Sequence, residues 1–273
     1  MIDNISASMI KLPDQQFIET RQYRRFAEFC QATKHSNYIG LCYGPPGVGK
    51  TISARHYSNW DFQETYLEHG MKRFLAPAEV RDYDTVFFTP PVVHTARDLV
   101  NRLTNLRKWL SIFVVHTYAP EELTQLNTNV DPTKLIIVDE ADRLSTQGLE
   151  YFRSVYDEDE ISVVFMGMPG VEKRLARYPQ LYSRIGFVHE FKTLSHDEMS
   201  LVIESKWKEL LTDDEVVIED EAQSALIRIT QGNFRLLLRL LMQVERLMRI
   251  NELTTVTKGL VEAARDVLII GIS

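Results

Sequence analysis

The chain has 273 residues, of which 44% are hydrophobic and 25% charged, with 12 glycines and 10 prolines. That composition belongs to an ordinary globular protein with enough chain for one large domain or two smaller ones, and it excludes fibrous and disordered classes. The formal net charge of −7 argues at first against a nucleic-acid partner, because neutralising phosphates takes local Lys and Arg.

Taken in chain order, Phe17 to Gln31 reads as a helix, with Phe17, Tyr23, Phe26, Ala27 and Cys30 near 3.6-residue spacing. Tyr38 to Tyr43 is a short apolar run that predicts a buried strand, followed by a glycine-rich loop and a helix from Lys50 towards Tyr57. A second strand, Thr85-Val86-Phe87-Phe88-Thr89, stops at Pro90-Pro91, and a helix with Leu99, Leu103, Leu106 and Leu110 runs from about Thr95 to Leu110. Leu135 to Val138 is the third strand. Leu149, Phe152 and Val155 mark the next helix, Ile161 to Met166 a fourth strand and Phe187 to Phe191 a fifth. Such alternation predicts an α/β fold, a parallel sheet with helices on both faces. Beyond Phe191 the pattern is helical: Ser195 to Leu211, Glu219 to Thr230, Phe234 to Asn251 and Val256 to Leu268, with Ser195 and Glu198 in capping-box spacing. The expected division is a nucleotide-binding core over residues 1–191 and a helical lid over 192–273.

Residues Gly44-Pro45-Pro46-Gly47-Val48-Gly49-Lys50-Thr51 fill the phosphate-loop template G-x-x-x-x-G-K-[ST] directly after a predicted strand. The glycines let the backbone curl so that its N–H groups face phosphate oxygens, and the helix that follows adds the positive end of its dipole. In this template Lys50 reaches the β- and γ-phosphates and Thr51 ligates Mg²⁺, so the ligand expected is ATP with Mg²⁺. Leu135-Ile136-Ile137-Val138-Asp139-Glu140 is a continuous apolar run ending in two carboxylates, as in a parallel strand buried on both faces. Asp139 falls at the strand's carboxyl end, where open α/β sheets bind ligands, and its expected role is to hold Mg²⁺ through water. Glu140 is the candidate that polarises the attacking water, which points to hydrolysis. The competing reading has the two carboxylates merely capping a helix that begins near Asp142.

Charge is unevenly distributed. Glu204, Glu209, Asp213, Asp214, Glu215, Glu219, Asp220 and Glu221 stand against Lys206 and Lys208 in one segment. Basic residues gather in Arg97, Arg102, Arg107 and Lys108, and again in Lys173, Arg174, Arg177 and Arg184. Either basic cluster could also be a solvated helix face. Residues 1–12 lack the basic-then-apolar order of a secretion signal, and no apolar run approaches the roughly 18 residues of a membrane span, so a cytoplasmic protein is expected. Cys30 and Cys42 have no metal-ligand spacing and read as small core hydrophobes.

The interval between Thr51 and Asp139 has room for a whole extra βα unit. A strand inserted between the phosphate-loop strand and the Asp strand, with a Glu directly after the Asp, resembles the additional-strand class, and the chain is similar to AAA+ ATPases. The resemblance implies a core of five parallel strands with a C-terminal helical lid. Gly232-Asn233-Phe234-Arg235 resembles the sensor-2 motif, which implies that Arg235 contacts the γ-phosphate; an anion there also offsets a positive charge at a helix N-terminus. Asp139-Glu140-Ala141-Asp142-Arg143-Leu144, Val164-Phe165-Met166-Gly167-Met168-Pro169-Gly170 and Tyr182-Ser183-Arg184-Ile185-Gly186-Phe187 are similar to the transposition-associated AAA+ proteins of the TnsC, TniB, MuB and IstB group. That likeness implies an ATP-dependent homo-oligomer, ring or helical filament, on double-stranded DNA, which engages a transposase and a target-selector protein and is cleared by hydrolysis. It also implies Arg184 as the arginine finger given to a neighbouring subunit, with Arg174 and Arg177 as rivals, and turnover stimulated by assembly. Loops after the second strand face a central channel in such assemblies, which makes Arg102, Arg107 and Lys108 the DNA-contact candidates. One departure is Met168 in place of a polar sensor-1 residue. A thioether cannot donate a hydrogen bond, so the expectation is that hydrolysis is slow or that another residue substitutes. A helicase-loader or initiator-like switch, and an assembly scaffold that never touches DNA, are the alternatives.

Overall fold

The computed structural model describes residues 17–68, 78–117, 131–210 and 217–268; residues 1–12, Leu211, Asp213, Asp214 and Glu215 of the readings above lie outside the described residues. In chain order the elements are α1 (Arg21–His35), β1 (Ile39–Tyr43), α2 (Lys50–Tyr57), α3 (Trp60–Glu68), β2 (Thr85–Phe88), α4 (Ala96–Val115), β3 (Leu135–Val138), α5 (Thr146–Asp159), β4 (Ser162–Gly167), α6 (Val171–Leu175), α7 (Pro179–Tyr182), β5 (Ile185–Glu190), α8 (His196–Leu210), β6 (Val217–Ile218), α9 (Asp220–Thr230), α10 (Phe234–Ile250), β7 (Thr255–Val256) and α11 (Lys258–Val267). Short 3-10 turns cover Ala78–Asp82 and Ala141–Arg143.

Two compact units divide the chain. One contains Phe26–Tyr43 and Thr51–His189; the other contains Ile18–Arg25, Gly44–Lys50 and the residues from Glu190 onward. The first is built on the expected five-stranded parallel sheet, in the order β2-β3-β4-β1-β5. Register pairs Val86 with Ile136, Ile136 with Val163 and Gly40 with Val164. The strand that is inserted in sequence, β2, takes an edge. In space it is β4 that lies between β1 and β3. All six residues of β4 are buried, as a central strand covered on both faces requires, whereas β5 alternates half-buried with exposed residues, as an edge strand does. Phe88, Ile136, Val138, Val163, Phe165, Leu99, Leu103, Leu149 and Phe152 form the core on one side of the sheet. Cys30 and Cys42 are both buried, and burial, reinforced by the neighbouring Cys42, pushes the Cys30 thiol up.

Helix ends follow capping chemistry more than apolar spacing. Helix α1 starts at Arg21 rather than Phe17, because the Thr20 hydroxyl accepts from Tyr23 N at 3.2 Å and Thr20 O accepts from Arg24 N at 3.1 Å. Phe17 instead stacks on His56, ring centroids 3.6 Å apart. Helix α4 opens on a full capping box between Thr95 and Asp98 and runs past Leu110, because Phe113 extends its buried face.

In the second unit, Val202, Ile203, Leu226, Leu237, Leu240, Leu241, Val244 and Val261 share one buried cluster. The Ser195–Glu198 capping box is present: Ser195 N donates to Glu198 Oε2 at 3.0 Å and Glu198 N to Ser195 Oγ at 3.3 Å. The other oxygen of Glu198 accepts from Arg21 N at 2.9 Å, so one carboxylate serves the starts of both α8 and α1. Strands β6 and β7 pair in parallel, Val217 with Thr255 and Ile218 with Val256. Two residues each, they are too short to give a period-2 signal.

Candidate nucleotide-binding site

Strand β1 delivers the chain to Gly44, where a Cβ would lie 2.4 Å from Phe191 O. Gly47 and Gly49 take φ of +79° and +102°, the left-handed region that L side chains disfavour. The loop therefore turns as the phosphate template requires and runs directly into α2, whose first amides have no partner within the helix. Lys50 folds back over it, its ammonium donating to Gly44 O at 2.6 Å and Pro45 O at 2.9 Å. Two further carbonyls of the loop are held from α10. Asn233 Nδ2 donates to Pro46 O at 3.2 Å while its Oδ1 caps α10 by accepting from Leu236 N, and Arg235 N donates to Gly47 O at 2.9 Å. The Arg235 side chain is exposed and forms no ion pair among the described residues.

In the sheet unit, Thr51 Oγ1 donates to Asp139 Oδ2 at 2.7 Å. Asp139 is buried at the end of β3; its other oxygen accepts from Glu140 N at 2.9 Å, and its own N donates to Phe88 O at 2.9 Å. Glu140 sits in the left-handed region at φ +51° and its side chain caps nothing, so the helix-cap alternative fits it poorly. Its carboxylate pairs with Arg143 one 3-10 turn later. Asp142 Oδ2 accepts from Met168 N at 2.8 Å, and a Cβ on Gly167 would come within 2.7 Å of that oxygen. Met168 itself is exposed at the end of β4.

The arginines separate by partner. Arg174 donates to Asp142 O at 2.5 Å and to the carbonyl of Leu144, so its guanidinium supports the turn after Asp139. Arg184 forks onto Asp157 at 2.6 and 2.9 Å and also meets the carbonyl of Gln180. Hydrogen bonding to Arg184 holds the Asp157 carboxyl below the ordinary range, against the opposing effect of its burial. Arg177 is exposed. On α4, Arg107 is bound to Asp131 at 2.7 Å and Asp159 at 2.6 Å, while Arg102 and Lys108 are exposed and form no ion pair among the described residues. Sequence reasoning missed Arg143 and the carbonyl-binding role of Arg174. The only signal for Arg143 was its i,i+3 spacing from Glu140.

Among the described residues no helix is long and apolar enough to cross a membrane. Residues 33–175 match the AAA domain family. A Staphylococcus aureus protein described as a potential ATP-binding protein is 44% identical over 269 residues, covering 95% of this chain and 98% of that relative. The fold is similar to that of the Thermotoga maritima RuvB Holliday junction branch migration motor, with a TM-score of 0.60 and 19% identity over 92% of this chain and 70% of RuvB. It is also similar to the Aeropyrum pernix ORC1 protein in complex with DNA, with a TM-score of 0.57 and 15% identity over 90% of this chain and 64% of ORC1. A glycine turn closed by Lys50, a strand end carrying Asp139 beside Thr51, the five-strand order and these matches agree: the chain belongs to the AAA domain family of nucleotide-binding P-loop ATPases.

Proposed function

We propose that this chain is an ATP-hydrolysing, DNA-binding switch of the transposition-associated AAA+ group, which assembles on duplex DNA, engages a transposase and is released by hydrolysis. The observation that carries the catalytic half is the Thr51 hydroxyl 2.7 Å from the buried Asp139 carboxylate, with Glu140 next in the chain. Residues 1–191 act as the core and 192–273 as the lid. A hydroxyl and a carboxylate are hard oxygen donors of the kind Mg²⁺ takes, and the ion when bound neutralises charge on the β- and γ-phosphates. Gly44, Gly47, Val48 and Gly49 carry the backbone N–H groups that face the phosphates, Pro45 and Pro46, which have no N–H, stiffen the turn between them, and Lys50 exchanges its carbonyl partners for phosphate oxygens. Glu140 accepts the proton of a water that attacks the γ-phosphorus, and the bond to the bridging oxygen breaks to release ADP. Arg235 from the lid and Arg184 from a neighbouring subunit meet the charge that develops. The Met168 side chain supplies no donor at the sensor-1 position, which keeps turnover slow.

Glu140→Gln is expected to retain ATP affinity and lower kcat by about 10²–10⁴, the usual worth of a general base, while the DNA-bound assembly accumulates. Steady-state phosphate release and nucleotide titration measure both; hydrolysis at the parent rate would remove Glu140 from the mechanism.

The DNA half rests on the motif resemblance and on fold likeness to a branch-migration motor and to a DNA-bound ORC1. Arg102 and Lys108 are the stronger contact candidates on α4, because Arg107 already serves two carboxylates. Weak contacts repeated around an oligomer add up to tight binding. The likeness to ORC1 favours one second reading, an initiator-like switch whose main target is another protein. Electron microscopy with a non-hydrolysable ATP analogue, with and without duplex DNA, tests the proposal. Rings or filaments on DNA are expected, and a chain that stays monomeric with both present would overturn it.

A further inference from the structure

Helix α10 shows solvent almost a single residue type. Between Phe234 and Arg249 its exposed positions are Arg235, Arg239, Met242, Arg246 and Arg249, while its apolar residues, Leu240 and Val244 among them, are buried in the helical core. At about 100° and about 1.5 Å per residue, these exposed positions fall within a sector of about 80° and run for about 21 Å. They form a basic ridge along the helix. Nothing within the helix accounts for it. Arg235 and Arg239 stand four apart and Arg246 and Arg249 three apart, spacings at which like charges destabilise a helix. The helix has a single carboxylate, Glu245, which pairs with Arg249, whereas Arg239 and Arg246 form no ion pair among the described residues. In a chain of net charge −7, cations gathered in this way without carboxylates to neutralise them call for an anion from outside. The γ-phosphate accounts for Arg235 alone.

We propose that α10 is a phosphate-binding face for duplex DNA, on which Arg239, Arg246 and Arg249 each grip the nucleic-acid backbone. This rests on the reading of the chain as DNA-binding and gives that reading a contact surface outside α4. The chemistry of the ridge selects this anion. Every cation on it is an arginine, whose planar fork matches pairs of phosphate oxygens. A protein partner would need an apolar patch at the centre of its interface, and the ridge offers only Met242; surfaces that bind DNA are far more positive. A lipid surface would need the apolar face of the helix, which is already packed against its own unit. Some 21 Å of ridge spans about six base pairs at about 3.4 Å each. Phosphate contacts position a duplex without reading its bases, so this face binds DNA of any sequence.

The test follows the fluorescence anisotropy of a labelled mixed-sequence duplex with the full chain and a non-hydrolysable ATP analogue, over a series of salt concentrations. Combining Arg239→Ala, Arg246→Ala and Arg249→Ala weakens binding at about 0.1 M salt by about a hundredfold or more and shrinks the slope of log K against log salt by about 2–3. ATP affinity stays at the parent value, because Arg235 is untouched. Combining Arg239→Lys, Arg246→Lys and Arg249→Lys keeps the charges and most of the slope, a rescue that a purely structural role would not show. If the triple alanine variant melts early, Arg246→Ala alone is read instead, with a slope smaller by about 0.9. A parent chain that binds no duplex removes the DNA-binding reading and this inference with it. A parent that binds, beside an alanine variant of equal affinity and slope, removes only the α10 face. An alanine variant that also fails to assemble on the ATP analogue without DNA makes the ridge a contact between copies and overturns the proposal.

Discussion

Lys50→Ala is expected to abolish ATP binding, with no saturable signal from a fluorescent ATP analogue at concentrations that saturate the parent chain. The ammonium lies 2.6 and 2.9 Å from the carbonyls of Gly44 and Pro45, so it is already inside the glycine turn and needs only to trade those oxygens for phosphate oxygens. Hydrogen bonds to charged groups are worth about 1.5–3 kcal/mol each, so losing two on the β- and γ-phosphates weakens binding by about a hundredfold or more. The fold should survive the change. Lys50 is the first residue of α2, it is only partly buried, and the turn it closes is shaped by Gly47 and Gly49. Equal ATP affinity in a variant with an unchanged melting curve would contradict the phosphate-loop reading.

Arg184→Ala carries the second large effect: nucleotide affinity is kept while hydrolysis by the assembled protein falls by about 10³–10⁵, the range for removing an arginine supplied in trans. In the free chain Arg184 is bound to Asp157 of its own subunit, and the two side chains are 30% and 26% exposed. Partly exposed pairs of this kind are worth about 0–1 kcal/mol, little enough for a neighbouring γ-phosphate to compete. Because Arg184 holds the Asp157 carboxyl below its ordinary range, the pair is present above that range and is lost only as pH falls through the depressed value. Acidification to about pH 5 should therefore leave Arg184 held, with no pH-driven gain in ATPase on that account. Stimulated turnover that survives the substitution would transfer the finger to Arg177, since Arg174 is occupied with the carbonyls after Asp139.

What could be read from the sequence was local. The strands β1, β3 and β4 announce themselves as unbroken apolar runs because both of their faces are covered, and Gly47 and Gly49 announce the loop because only glycine takes its φ without strain. Spatial order was not local. Nothing in Thr85 to Phe88 says that this strand takes an edge while Ser162 to Gly167 enters between β1 and β3; register with distant partners decides it. Phe17 matched a helical period yet lies outside the helix, because the Thr20 hydroxyl sets the start. Helix α3 and the β6–β7 pair carry too little apolar signal to be found. At the site, Asp139 and Glu140 followed from the strand end, but the attachments of Arg107, Arg174 and Arg184 to their carboxylates and carbonyls depend on residues up to tens of positions away.

The attachment of Pro46 O to Asn233 and of Gly47 O to the backbone of Arg235 has a thermodynamic corollary. A peptide plane whose oxygen is anchored cannot rotate, so the amides on its far side are aimed before any ligand arrives, and the conformational entropy of ordering them is lost during folding instead of during capture. Association should then approach rigid docking, with heat and rate governed by dehydration of the incoming anion.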